Sequence, residues 1–313
     1  MKGESLIPLV AVVGPTASGK TWLGIELAKA YNGEVVSADS MQIYKGMQIA
    51  TAKPTTEEIQ GIPHHLMGFI NPIETFSVAQ YVELAHKIIA DINTRGKLPI
   101  VVGGTGLYIN SLLNNIVFGK ETSNKKIRTE LQKRLELDGT KKLLAELQEY
   151  DPQAAQRFTD GNGKRIIRAI EIYLSTGKTM TKHLEESTLV PSPYKDIRIG
   201  LTYKDRNKLY ARIDKRVDIM VENGLIKEAE KYNKEHLGLT AAKAIGYKEL
   251  TPYFSGEITL EKALENLKKE TRHYAKRQLT WFRRDEKINW IYADEYSNTS
   301  DILSKTKTIL KEN

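Results

Sequence analysis

An apolar run from Leu6 to Val13 passes directly into Gly14-Pro15-Thr16-Ala17-Ser18-Gly19-Lys20-Thr21, the spacing Gly-x-x-x-x-Gly-Lys-Thr. A strand that feeds a glycine-rich turn and then a helix leaves the chain few choices. The helix must pack back on a parallel sheet, and its free N–H groups converge with its positive end on one point, where an anion of the diphosphate type belongs. Gly14 and Gly19 allow close backbone approach, Lys20 offers an ammonium to terminal phosphate oxygens, and the Thr21 hydroxyl is placed to ligate Mg²⁺. Pro15, Thr16, Ala17 and Ser18 complete the cradle, and Trp22 to Ala30 reads as its supporting helix.

Further apolar runs at Glu34 to Ser37, Leu98 to Val102, Ile197 to Tyr203 and Ile288 to Tyr292 alternate with helical periodicity. The fold expected is therefore α/β: a P-loop NTPase-like, mainly parallel sheet with flanking helices. Between about Lys120 and Pro193 the strand signal stops. Charged amphipathic stretches, Lys125 to Leu137 and Lys141 to Tyr150, take over. This predicts a core of residues 1–119 and 194–313 and a helical insertion domain of residues 120–193, bounded by a turn at Gly119 and by Pro191-Ser192-Pro193. Two helical stretches, Lys204 to Lys234 and Thr259 to Arg284, precede the last strand.

The 47 Lys and Arg against 39 Asp and Glu give a net charge of +8. There is no cysteine, which excludes a disulfide framework, thiolate metal sites and a cysteine nucleophile. The first apolar run is too short for a membrane span. A cytoplasmic, monomeric protein without membrane attachment is the expectation.

In sheets of this type ligands gather at the carboxyl ends of the strands. Asp39 ends the second strand, where its carboxylate can accept a hydrogen bond or a proton from an attacking N–H or O–H, cap the following turn, or organise Mg²⁺ through water. The strand at residues 98–102 ends in Gly103-Gly104-Thr105-Gly106 rather than in the acidic residue that ordinary nucleotide hydrolysis uses. Lys268 to Arg284 interleaves cations with aromatics. On a helix Arg272, Lys276 and Arg283 fall near one face and suit a phosphate backbone; a solvated helix with Trp281 and Phe282 in the core is the equal alternative.

In chain order, the phosphate loop, Asp39-Ser40-Met41-Gln42-Ile43-Tyr44-Lys45-Gly46-Met47, Thr51-Ala52-Lys53-Pro54, His64-His65-Leu66 and Val102-Gly103-Gly104-Thr105-Gly106-Leu107-Tyr108 resemble the tRNA dimethylallyltransferases. So do Lys164-Arg165-Ile166-Ile167-Arg168-Ala169, Ser175-Thr176-Gly177-Lys178-Thr179, Arg212-Ile213-Asp214-Lys215-Arg216, Ala244-Ile245-Gly246-Tyr247 and Lys276-Arg277-Gln278-Leu279-Thr280-Trp281-Phe282-Arg283. The resemblance covers nearly the whole chain. It implies transfer of a dimethylallyl group from dimethylallyl diphosphate to N6 of the adenosine 3′ of a tRNA anticodon, with Mg²⁺. A prenyl diphosphate then occupies a loop of the nucleotide-binding, ATP-binding class.

The resemblance assigns catalytic roles to Asp39, Lys20, Thr21, Arg216 and Thr105, with Arg212 as a neighbour of Arg216; the plain alternative for Arg216 is a surface salt bridge to Asp214 or Asp218. It makes Asp39, Ser40, Met41 and Gln42 the readers of an extruded base. Contacts to the anticodon stem-loop are implied for Lys53, His65, Thr105, Lys164, Arg165, Ile166, Ile167, Arg168, Gly246, Tyr247, Lys276, Arg277, Gln278, Trp281 and Arg283. Two positions depart from the family pattern: Ala50, where glycine is usual, and Gly68, where an acidic residue is common. The competing reading of the same loop and acid is a small-molecule kinase using ATP.

Overall fold

Among the described residues six strands, all parallel, form one sheet in the order β3-β2-β4-β1-β5-β6, comprising β1 (Ile7–Val13), β2 (Gly33–Ser37), β3 (His64–His65), β4 (Leu98–Gly103), β5 (Tyr194–Thr202) and β6 (Ile288–Tyr292). The computed structural model describes residues 6–118, 124–158, 160–235, 237–238 and 240–312. The chain divides into two units, Met1–Leu113 with Pro193–Asn313, and Asn114–Ser192. The turn expected at Gly119 lies outside the described residues.

Strand β1 sits between β4 and β5, and five of its seven residues are buried, because helices cover both faces. Alternate side chains go to opposite layers. Ala11, Val13, Val36 and Val101 pack with Tyr81, Ala85, Ile89 and Ile92 of the Val78–Thr94 helix. Val10, Val12, Val35 and Ile100 pack on the other side with Leu23 and Leu27 of the Lys20–Ala30 helix and with Ile302 and Ile309 of the last helix, Thr299–Glu312. The Val78–Thr94 helix starts at a capping box in which Ser77 and Gln80 satisfy each other's backbone N–H groups.

Three details differ from the expectation. Strand β5 starts three residues earlier, at Tyr194. Strand β3 has only two residues, too few to leave a periodic signal. The stretch expected as one helix over residues 204–234 is two, Arg206–Glu222 and Leu225–Lys234, because Gly224 adopts φ 98° and turns the chain.

At the start of β2, the buried Glu34 accepts from Arg95 at 2.5 and 2.8 Å, from Lys97 at 2.7 Å and from His65 Nε2 at 2.8 Å. The Arg95 hydrogen bonds, with those of Lys97 and His65, hold its carboxyl well below the usual carboxylate range. A depressed folded-state pKa contributes stability above the unfolded value, and this is lost as the pH falls below about 4. Glu34→Gln should lower the unfolding free energy by about 2 kcal/mol at neutral pH, since the half-exposed cations are partly screened. Urea denaturation at pH 7 and pH 3 checks this: the difference between variant and wild type should shrink at the lower pH.

In the second unit, the helix Lys125–Tyr150 breaks at Gly139, where φ is 77°. It packs against the Gly163–Thr176 helix through Leu131, Leu143, Leu147, Ile166, Ile167 and Ile170. Ile166 and Ile167, named as RNA contacts by resemblance, are 0% and 4% exposed and belong to this core. Lys164 and Arg165 beside them are exposed, and Arg168 pairs with the fully buried Glu171, which also holds Arg128.

Candidate active site

The phosphate loop is shaped by close approach. A Cβ on Gly14, whose φ is 146°, would lie 2.2 Å from the Leu201 carbonyl oxygen of β5, so only glycine fits. Gly19, at φ 99°, opens the Lys20–Ala30 helix without a side-chain cap, leaving first-turn N–H groups for a ligand. Ser18 Oγ is buried with no hydrogen-bond partner among the described residues, and Lys20 Nζ folds back on the Pro15 carbonyl at 2.6 Å.

One loop donor is already committed. Thr16 N–H donates to Gln278 Oε1 at 2.8 Å, while Gln278 Nε2 donates to the Gly104 carbonyl at 3.0 Å. Gln278, expected at the RNA, is 5% exposed and instead fastens the phosphate loop to the end of β4. Thr16 still lines the ligand space.

Arg216 and Lys20 stand together. Burial lowers the pKa of Lys20 to about 7, with Arg216 adding repulsion and Asp39 opposing both. Burial likewise lowers Arg216, against the pull of Asp39. The alternative partners of Arg216 are taken: Asp214 pairs with Arg272 at 2.6 Å and Asp218 with Lys268 at 2.6 Å. Arg212 Nε donates to the Ala17 carbonyl at 3.1 Å, with its guanidinium 5.3 Å from the centre of the Tyr203 ring, and so buttresses the loop from outside. Two half-buried cations without ion pairs among the described residues suit a dianionic ligand. Above about pH 7, inorganic pyrophosphate should restore the charge on Lys20 and take up a proton on binding, because the free amine is then largely neutral. Calorimetry in buffers of different ionisation enthalpy reads this uptake; Lys20→Arg, which stays charged, should lose it.

Asp39 is held at one oxygen: Oδ1 accepts from Met41 N–H at 2.9 Å and Gln42 N–H at 3.3 Å. Oδ2 has no hydrogen-bond partner among the described residues. Thr105, expected to line the ligand passage, accepts from Ser40 N–H at 2.9 Å and donates to Ser40 Oγ at 3.3 Å, tying the end of β4 to that of β2. A cavity of ≈ 320 Å³ is lined by Lys20, Thr21, Asp39, Gln42, Arg216 and Tyr274, among others. A second, of ≈ 940 Å³, also reaches Lys20, Thr21 and Arg216 but is lined further out by Lys53, Lys215 and Arg212. A phosphate cradle and a carboxylate with a free oxygen thus face one space.

Residues 42–285 match the family profile described as IPP transferase. The chain belongs to the IPP transferase family. Curated tRNA dimethylallyltransferases from Acetivibrio thermocellus and Bacillus subtilis are 49% and 48% identical to it, over 96% and 90% of this chain and 97% and 90% of theirs. The crystal structure of the full-length tRNA isopentenylpyrophosphate transferase from Bacillus halodurans superposes with TM-score 0.70 at 43% identity, over 98% of this chain and 97% of that one. A eukaryotic dimethylallyltransferase acting on tRNA superposes with TM-score 0.82 at 29% identity, over 98% and 80%.

The remaining residues implied for this family separate on structural grounds. Neighbours on β3, His65 and His64 point to opposite faces: His65 is committed to Glu34, and His64 lines the smaller cavity. Tyr247 is 5% exposed with its hydroxyl on Glu228, and Gly246 N–H donates to Glu249, so neither offers a side chain to RNA. Trp281 is 38% exposed and lies over Gly106, where a Cβ would come within 2.2 Å of its ring. Lys276, Arg277 and Arg283 are exposed without ion pairs among the described residues, whereas Arg272 is neutralised by Asp214.

The two departures from the family pattern have local explanations. The Ala50 methyl packs against Gly246, where a Cβ would approach it to 3.0 Å. A Cβ on Gly68 would lie 3.5 Å from Lys53 Nζ, the place from which an acid would reach that amine. Here Lys53 instead donates to the Tyr44 carbonyl, and burial lowers its pKa to about 8.

Tyr274 was missed by sequence reasoning. With Leu267, Thr271 and Gln278 it forms one helical stripe, at spacings of four, three and four, that lines the smaller cavity. That spacing was readable within the basic-aromatic stretch. Burial, with the Asp39 charge nearby, raises the Tyr274 pKa and keeps its hydroxyl protonated.

Proposed function

We propose that this chain transfers a dimethylallyl group from dimethylallyl diphosphate to N6 of the adenosine 3′-adjacent to the anticodon of tRNA. The observation that carries the reading is the single cavity onto which both the Lys20–Arg216 anion site and the carboxylate of Asp39 open. The named relatives support prenylation of tRNA over phosphoryl transfer from ATP.

The reaction breaks the allylic C–O bond and forms an N6–C bond. Negative charge grows on the departing diphosphate, where Lys20, Arg216 and the first-turn N–H groups of the Lys20–Ala30 helix stabilise it. Asp39 Oδ2 orients the adenine amine and accepts its proton as the N–C bond forms. Thr105 holds Ser40, and with it the turn that carries Asp39, rather than touching the reacting atoms.

The donors suit Mg²⁺. The Thr21 hydroxyl has no hydrogen-bond partner among the described residues and lines the same cavity as Lys20, a hard oxygen donor of the kind that leaves other positions to phosphate and water. When bound, the ion would supply neutralising charge to the leaving diphosphate. Anticodon-loop RNA would meet the exposed cations Lys276, Arg277 and Arg283, its unstacked base entering beside Gln42.

Incubating the protein with labelled dimethylallyl diphosphate, Mg²⁺ and bulk tRNA, then digesting to nucleosides, tests the reading. Label should appear in N6-dimethylallyladenosine. Label excluded from RNA, together with phosphoryl transfer from ATP, would overturn it.

A further inference from the structure

One carboxylate outside the reacting group gathers an unusual set of donors. Glu228, in the first turn of the Leu225–Lys234 helix, accepts from the N–H groups of Gln48 at 2.9 Å, Ile49 at 2.9 and 3.1 Å and Ala50 at 2.9 Å. The Tyr247 hydroxyl donates to it as well, at 2.9 Å. Three consecutive amides converge on one carboxylate, and this fixes the direction of the chain that follows.

That chain sets a functional side chain. The carbonyls of Thr51 and Ala52 accept from Gln42 Nε2 at 3.3 and 3.1 Å, while Ser37 Oγ donates to Gln42 Oε1 at 3.3 Å. The Gln42 amide is therefore held at both ends, beside Asp39 and facing the smaller cavity. We propose that Glu228 is a positioning residue for base recognition: it anchors residues 48–50 so that the carbonyls of Thr51 and Ala52 hold Gln42 in the orientation that reads the acceptor base. This rests on the function proposed above. It also explains Tyr247, which serves the site by holding Glu228 and not by touching RNA.

Glu228→Gln is nearly isosteric, but it turns N–H hydrogens toward the N–H donors it must accept. Its KM for an anticodon stem-loop should rise on the order of tenfold, the equivalent of about one charge-assisted hydrogen bond, with KM for dimethylallyl diphosphate unchanged. The effect should disappear in a Gln42→Ala background, because a residue acting through Gln42 has nothing left to position. An equal rise in both KM values, or full additivity with Gln42→Ala, would overturn the proposal. Should Glu228→Gln fail to fold, Tyr247→Phe removes one donor and should raise the same KM about threefold, again only when Gln42 is present; an unchanged KM overturns it. A wild-type protein that transfers nothing to RNA would instead reject the proposed function, before any variant is made.

Discussion

Replacing Arg216 by alanine should lower the single-turnover rate of prenyl transfer by a factor on the order of 10²–10³, the size found when one preorganised donor to a developing anion is removed. The expectation follows from where the guanidinium stands. It is half-buried, next to Lys20, without an ion pair among the described residues, and it borders both cavities. Because Asp214 and Asp218 are taken up by Arg272 and Lys268, removing Arg216 leaves no surface ion pair broken, and thermal stability should change little. Lys20→Ala should match it in size. A single-turnover rate near that of the wild type in either variant would show that the departing diphosphate is stabilised elsewhere.

The second large effect belongs to Asp39, where two substitutions separate two roles. Asparagine keeps an oxygen for the N–H groups of Met41 and Gln42, so the turn after β2 survives, but it cannot accept a proton. Asp39→Asn should therefore lower the chemical step by about 10²–10⁴, the range for a lost general base, with stem-loop affinity within about twofold of wild type. Asp39→Ala also removes the turn acceptor and should weaken RNA binding besides. Equal loss of binding in both variants would mean that Asp39 reads the base and takes no proton.

The parts of this site that are local in sequence were legible, and those that depend on distant pairing were not. The phosphate loop announces itself because strand, glycines, lysine and helix must be contiguous, and Asp39 follows from its place at a strand end. The amphipathic stretches on either side of Gly139 were legible as separate segments, whereas the turn at Gly224 lies inside a stretch legible only as one helix. Ile166 and Ile167 sit inside a basic motif, yet their spacing to Ile170 is that of a helix's buried face. By contrast, Gln278 reaches Thr16 across 262 positions, and Glu228 reaches Gln48 across 180. No periodicity encodes such contacts. A polar residue in a charged stretch looks like a surface ligand until the fold shows what encloses it.

Lys20, Thr21 and Arg216 are reached from two sides, and the lining of the larger hollow does not include Asp39, Gln42 or Tyr274. A polymer seated over the carboxylate would leave the larger hollow open to solvent. Spent pyrophosphate could then drain away, and a fresh allylic donor be loaded, with the RNA still in place. Turnover in such an arrangement is not bound to a last-in, first-out sequence, since neither small molecule has to pass the nucleobase.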